Sequence, residues 1–305
     1  MPNLFVLGSL NMDLVIESKR LPKVGETLEG LRYFQNPGGK GGNQAVAVAR
    51  LGGRAKMVGA VGDDAFGVQL KHALLDSGVD ACRVKKIADS STGIAVILLH
   101  EGDNRIILHA GANAHVDRSA IDSILQDADK DDWLIMQFET PISTVKLALQ
   151  EAKRVGVRTL LNPAPVCQID AEWYPLMDVL VLNQIEAEEL SQLSFSSNGK
   201  EAVLNYFIDR GVQTVIVTLG AQGSVGMQAG EFTDMPAIKT TVVDSTAAGD
   251  TYVGAIAVSL SEGKTLEEAM LFATQSATLA VETYGAQTSI PTHQAVKERF
   301  NENDY

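Results

Sequence analysis

Trp133-Leu134-Ile135-Met136-Gln137-Phe138, Arg158-Thr159-Leu160-Leu161-Asn162, Val179-Leu180-Val181-Leu182-Asn183 and Thr214-Val215-Ile216-Val217-Thr218-Leu219 decide the fold of this chain. Each run is short and apolar, with little polar alternation. Between them, residues 142–155, 185–193 and 200–210 read as longer amphipathic helices. Strands apolar on both faces and separated by helices imply a mostly parallel sheet with helices on both sides, an α/β architecture. Such sheets bind ligands beyond the carboxyl ends of their strands. Glu139, Asn183, Glu186, Thr218 and the segment Gly220-Ala221-Gln222-Gly223 all fall at that level. A glutamate there serves equally well as a helix-start charge.

The alternation continues toward the N-terminus. Residues 4–10 read as a strand, 42–51 as a helix rich in Ala and Val, 55–61 as a strand and 66–77 as a helix. Two stretches break the rhythm. Residues 14–34 hold two extended segments around Leu21-Pro22-Lys23-Val24-Gly25-Glu26, and residues 92–100 and 105–110 read as a hairpin around Glu101-Gly102-Asp103-Asn104. They predict a small sheet, segments about 14–35 and 92–110, inserted into a single α/β domain spanning 1–305. A sheet one layer thick cannot bury both faces. It is expected to act as a lid over a ligand, a partner subunit, or both. The polar tail, residues 300–305, is expected to fray.

The 305 residues include 45% hydrophobic side chains, ample for a core. With 25 Lys and Arg against 38 Asp and Glu, the net charge of −13 argues against nucleic acid as a partner. It does not exclude anionic ligands, because local dipoles or a bound cation override the global field. No run approaches the length of a membrane span. Met1-Pro2-Asn3 leads straight into an apolar strand, so secretion is not expected and the cytoplasm is. Cys82 and Cys167 form no C-x-x-C and fit a reducing compartment. The five histidines show no metal-binding spacing.

Three motifs carry chemistry. In Val243-Asp244-Ser245-Thr246-Ala247-Ala248-Gly249-Asp250-Thr251, small residues run into an aspartate before a helix expected over 251–260. A helix start presents unpaired N–H groups and the positive end of its dipole, so this reads as an anion cradle beside a carboxylate, or as a simple N-cap. Pro37-Gly38-Gly39-Lys40-Gly41-Gly42-Asn43-Gln44-Ala45 lets the backbone approach a ligand and adds a point charge and an amide; a flexible glycine loop is the alternative. It is not a Walker A loop. In Gly8-Ser9-Leu10-Asn11-Met12-Asp13, placed at the end of the first strand, alternation sets Asn11 and Asp13 on one face. Amide plus carboxylate suits a polyol, although a solvated strand end would look the same.

In this order the motifs resemble the ribokinase-type carbohydrate kinases, the PfkB family, over nearly the whole chain. The resemblance rests on Gly-Ser-x-Asn-x-Asp, Gly-Gly-Lys-Gly-x-Asn, Asn-x-x-Glu and Ala-Ala-Gly-Asp. Asn11/Asp13, Asn162-Pro163-Ala164-Pro165 and Gly285-Ala286-Gln287 lean toward the members acting on D-ribose. The resemblance implies ATP-dependent phosphorylation of the 5-hydroxyl, with Asp250 as base and the Ala247, Ala248 and Gly249 N–H groups as anion hole. It implies that Asn11, Asp13, Gly39, Lys40, Asn43 and Glu139 hold the sugar. Asn183 and Glu186 would organise Mg²⁺ through water. Thr218, Gly220 and Gly223 would line the ATP site, with Thr274 near the adenine. Asp244, Thr246, Ala280, Thr283, Gly285 and Ser289 match a monovalent cation loop, usually for K⁺. A homodimer packed through the lids is also implied.

Ala247 stands where many relatives carry Gly, Val253 where Asn is frequent, and Thr274 where larger polar side chains are common, which leaves nucleotide preference open. Other members of the family act on fructose, deoxyribose or nucleosides. A sugar-binding regulatory protein on a kinase fold would be expected to lose Asp250 or the anion hole, and this chain keeps both. A dinucleotide-binding dehydrogenase would need G-x-G-x-x-G after the first strand, where Gly8-Ser9-Leu10-Asn11 stands.

Overall fold

The computed structural model describes residues 1–100 and 103–301. The Glu101-Gly102 part of the expected hairpin turn and the tail beyond 301 lie outside the described residues. The chain runs β1 (Asn3–Leu7), β2 (Asn11–Glu17), β3 (Arg32–Gly38), α1 (Lys40–Arg50), β4 (Arg54–Gly62), α2 (Ala65–Asp76), β5 (Asp80–Ile87), β6 (Gly93–His100) and β7 (Asp103–His109). It continues through α3 (Arg118–Leu125), β8 (Trp133–Gln137), α4 (Ile142–Val155), β9 (Arg158–Asn162), β10 (Val179–Asn183), α5 (Gln184–Ser191), α6 (Phe195–Asn198) and α7 (Lys200–Ile208). The last elements are β11 (Thr214–Thr218), β12 (Ser224–Gln228), β13 (Glu231–Met235), α8 (Ala248–Ser261), α9 (Leu266–Ala280) and α10 (His293–Asn301).

Nine strands form one sheet in the order β13-β12-β11-β10-β9-β8-β1-β4-β5. All neighbours from β11 to β5 are parallel, and β12 and β13 add an antiparallel edge. Alternate residues feed opposite faces, as the pleat requires. Leu4, Val6, Ile135, Val181 and Ile216 pack with α1, α8 and α9 residues on one face. Phe5, Leu7, Leu134, Leu182 and Val217 pack with residues of α3, α4, α5 and α7 on the other. These two-sided cores explain the uninterrupted apolar runs. From β1 the chain winds outward to β4 and β5, then returns to β8 on the other side of β1. The gap between β1 and β8 is therefore the switch point, where a crevice opens.

The second sheet has the order β3-β2-β6-β7. It differs from the sequence expectation at its N-terminal boundary. β2 begins at Asn11, so Asn11 and Asp13 lie on the small sheet and not at the end of the first strand. The hairpin β6–β7 pairs with β2 in parallel, through Asn11↔Gly93 and Asp13↔Ala95. Asn11 and Asp13 still share a face, because two-residue spacing survives the change of sheet.

Candidate active site

Helix α8 is preceded by Ala247 at its N-cap, whose φ of 59° lies in the left-handed region. The Ala248 N–H donates to the Ser245 carbonyl at 3.3 Å and Thr251 N–H to the Ala247 carbonyl at 2.8 Å. Among the described residues no protein acceptor takes the N–H of Gly249 or Asp250. A Cβ on Gly249 would meet nothing within 4 Å, and Gly249 and Asp250 both line a cavity at the positive end of the helix. Of the three N–H groups assigned by resemblance to an anion hole, that of Ala248 is thus engaged in the turn.

Asp250 sits in the first turn, 8% exposed. Asn43 Nδ2 donates to its Oδ2 at 2.9 Å and Gln44 Nε2 to its Oδ1 at 3.0 Å. The close approach of α1 and α8 makes this possible. A Cβ on Gly254 would lie 2.5 Å from the Ala47 Cβ, so only glycine allows the helices to meet there. Gly254 is one turn after Asp250, and Ala47 one turn after Asn43.

The glycine run places α1 against the chain leaving β1. Gly39 has φ 84°, and a Cβ there would lie 2.7 Å from Asn11 N. Glu139, just past β8, is tied to the same place. One of its oxygens accepts from Ser9 Oγ at 2.6 Å, Lys40 N at 3.0 Å and Asn11 Nδ2 at 3.5 Å. Asn113 locks Asn11 from behind. Its Nδ2 donates to Asn11 Oδ1 at 2.7 Å, and its Oδ1 accepts from Leu10 N at 2.9 Å.

Electrostatics concentrate in this crevice. Burial, then Glu139 and Asp250, push the Asp13 carboxyl up to about 7. Burial pulls the Lys40 ammonium down, but Asp250, Glu139 and Glu186 outweigh it and hold it above its ordinary value. Burial also pushes Glu186 up, against the Asn183 hydrogen bond and Lys40. Asn183 caps α5 and forms a reciprocal capping box with Glu186. The Asn183 N–H donates to one Glu186 oxygen at 2.9 Å and Asn183 Nδ2 to the other at 2.8 Å.

Lys40, Asn183, Glu186, Thr218, Ala247, Gly249 and Asp250 line one cavity of about 220 Å³. A neighbouring cavity of about 360 Å³ has Asn11, Asn113 and Glu139 among apolar residues that include Leu108, Phe138 and Ile142. Gly220, with φ 58°, and Gly223, with φ 94°, form the tight turn after Thr218. Thr274 does not line either cavity; it is buried on α9, its hydroxyl without a hydrogen-bond partner among the described residues. The Asp244 carboxylate ties two segments together. It accepts from the N–H and Oγ1 of Thr246, at 2.9 and 2.6 Å, and from Gly285 N at 3.0 Å. These bonds outweigh burial and hold its carboxyl below the ordinary range. Thr283 N–H reaches the Ala280 carbonyl at 3.3 Å, and buried Ser289 donates to the Ala286 carbonyl at 2.8 Å.

Sequence reasoning passed over Gln44, Gln137, Asn162, Ser9 and Asn113 as site residues. For Gln44 a signal existed: a long amide inside an Ala/Val-rich helix. Gln137 and Asn162 are single polar residues closing apolar strands, and the strand partners that bring them to Gln44 are far away in sequence.

The pfkB family carbohydrate kinase model matches residues 1–293. A ribokinase of Schizosaccharomyces pombe is 42% identical, covering 99% of this chain and 98% of that protein. The structure of a ribokinase from Thermotoga maritima superposes with a TM-score of 0.89 at 36% identity, covering 99% of this chain and 100% of the other. An Arabidopsis thaliana ribokinase complexed with ribose and ATP gives a TM-score of 0.89 at 33% identity, over 97% and 98%. With the family model spanning the two-sheet fold and the crevice at its switch point, this chain belongs to the pfkB family of carbohydrate kinases.

Proposed function

We propose that this chain transfers the γ-phosphoryl group of ATP to the 5-hydroxyl of D-ribose, giving ribose 5-phosphate and ADP. The observation that carries the reading is Asp250, a buried carboxylate held by two amides where α8 offers the free N–H groups of Gly249 and itself. The Arabidopsis relative's complex with ribose and ATP supports the two substrates. In this reading the small sheet is a lid on a single domain, and Asn11, Asp13, Gly39, Lys40, Asn43 and Glu139 hold the sugar. The ribose oxygen bonds to phosphorus as the bridge to the β-phosphate breaks, and the hydroxyl proton passes to Asp250. An aspartate is a weak base, which suffices because the alcohol becomes acidic only as its bond to phosphorus forms. Most of the acceleration then comes from positioning and from the N–H groups facing the transferring phosphoryl.

Thr218, Gly220 and Gly223 border the nucleotide; Thr274, buried beside Tyr252, would act there only through its neighbours. Asn183 and Glu186 fit Mg²⁺ carried by phosphates and water, since they share a cavity with Asp250 while no cluster of three metal-binding side chains exists among the described residues. Mg²⁺ would neutralise phosphate charge there. Asp244 with the oxygens of Thr246, Ala280, Thr283, Gly285 and Ser289 fits K⁺, because that carboxylate already joins the two segments flanking α8 and α9. K⁺ would order the approach to α8.

We also infer a homodimer packed through the lids. Phe34, Ile106 and Leu108 share the sheet face of Asn11 and Asp13, yet are 39%, 50% and 49% exposed. A cytoplasmic setting accords with two free thiols.

The test is an ADP-release assay over ribose, deoxyribose, fructose and a nucleoside, with Asp250→Asn alongside. Ribose should be preferred. The variant should fold and bind ribose but lose roughly 10²–10⁴ in turnover, the scale of lost proton-transfer catalysis. Near-normal turnover by Asp250→Asn would refute the mechanism, and preference for another sugar would refute the substrate.

A further inference from the structure

We infer that Gln44 is a positioning residue for Asp250, itself aimed by Gln137 and Asn162. The inference rests on the reading of Asp250 as the base. Gln44 and Gln137 are fully buried. Gln44 Oε1 accepts from Gln137 Nε2 at 2.6 Å, which turns the Gln44 NH₂ toward Asp250 Oδ1 at 3.0 Å and Asn162 Oδ1 at 3.2 Å. Asn162 is fixed in turn, because its Nδ2 donates to the Val181 carbonyl at 3.0 Å and leaves only its oxygen for Gln44. Both N–H groups of Gln44 are therefore spent on acceptors, and its carbonyl on a donor. The carboxylate of Asp250 is tied through Gln44 to the ends of β8 and β9 and to the middle of β10, and not only to its own helix.

Asn43 and Gln44 differ in what they keep for a ligand. Asn43 gives one bond to Asp250, and its Oδ1 is buried with no protein partner among the described residues. It retains an acceptor for a substrate hydroxyl. Gln44 retains none, so its contribution is orientation. One donor on each oxygen fixes the plane of the carboxylate, and charge-assisted bonds of this kind are strong and directional. A base fixed in advance needs no reorganisation when substrate arrives. This also explains two buried amides at the ends of apolar strands, where aliphatic residues would pack without such demands.

The test compares Gln44→Met, Gln137→Met and the double variant on whichever sugar the parent turns over best. Gln44→Met should lower kcat about 10- to 100-fold, the size of one charge-assisted bond. Kd values for sugar and ATP, by calorimetry, should stay within about threefold. Gln137→Met should lower kcat less, and should add nothing in the Gln44→Met background, since it acts through that residue. A crystal structure of either single variant should show the Asp250 carboxylate rotated. An unrotated carboxylate, a kcat within twofold of the parent, or additive losses in the double variant would each overturn the inference. If Gln44→Met does not fold, Gln137→Met and its crystal structure decide. Because the sugar is chosen by assay, an error about ribose leaves this test intact.

Discussion

Replacing Gly254 with alanine tests whether the crevice depends on how closely α1 and α8 meet. The new Cβ would lie 2.5 Å from the Ala47 Cβ. Carbon atoms pack at roughly 3.5–4.0 Å, so the helices must part by about 1 Å. The Asn43–Asp250 bond, now 2.9 Å, would open to about 3.9 Å and cease to be a hydrogen bond. The Gln44–Asp250 bond, now 3.0 Å, would be lost in the same movement. Overpacking costs about 1–3 kcal/mol, which for this chain length is roughly 2–5 °C in melting temperature. A displacement of about 1 Å at a reacting group costs on the order of 100-fold in rate. The assay is steady-state ADP release with a thermal melt on the same preparation. Ala47→Gly removes the opposing methyl, so the double variant should recover most of both losses. Gly254→Ala with parental kcat and melting temperature, or a double variant no better than the single, would show that the contact does not set the site.

The Asp13 carboxyl, raised to about 7 by burial, Glu139 and Asp250, keeps a proton that the unfolded chain releases near pH 4. Stability contributed by that proton is therefore lost as pH rises from about 4 to about 7, by at most about 4 kcal/mol. Melting curves of ligand-free Asp13→Asn should exceed the parent above pH 7 and converge with it only near pH 4; a constant offset across pH would refute this. Replacing K⁺ with tetramethylammonium should lower kcat severalfold in the parent but not in Asp244→Asn, as read by the same ADP assay, and equal rates in the parent would exclude the cation role. Ile106→Asp should move the gel-filtration mass from about twice the 32.6 kDa chain to one chain, and an unchanged elution position would place any dimer interface elsewhere.

Periodicity alone determined the architecture. Parallel strands buried on both faces have to be apolar throughout, and the runs from Trp133 to Thr218 carry that requirement in plain view. Motif spacing likewise marked Lys40, Asn183, Glu186 and Asp250, because helix starts and glycine turns are local chemistry readable over a few residues. The boundary of the small sheet was less legible. Asn11 follows β1 by only a few residues, and nothing local says that the strand resuming there pairs with Gly93 instead of Arg54. The tertiary structure alone decided that pairing and the network behind Asp250. Gln44, Gln137 and Asn162 meet only because β8 and β9 lie side by side and Gly254 admits α1 against α8. A hydrogen bond needs atoms within about 3 Å, and the distances that satisfy it here join residues 93 to 207 positions apart in the chain.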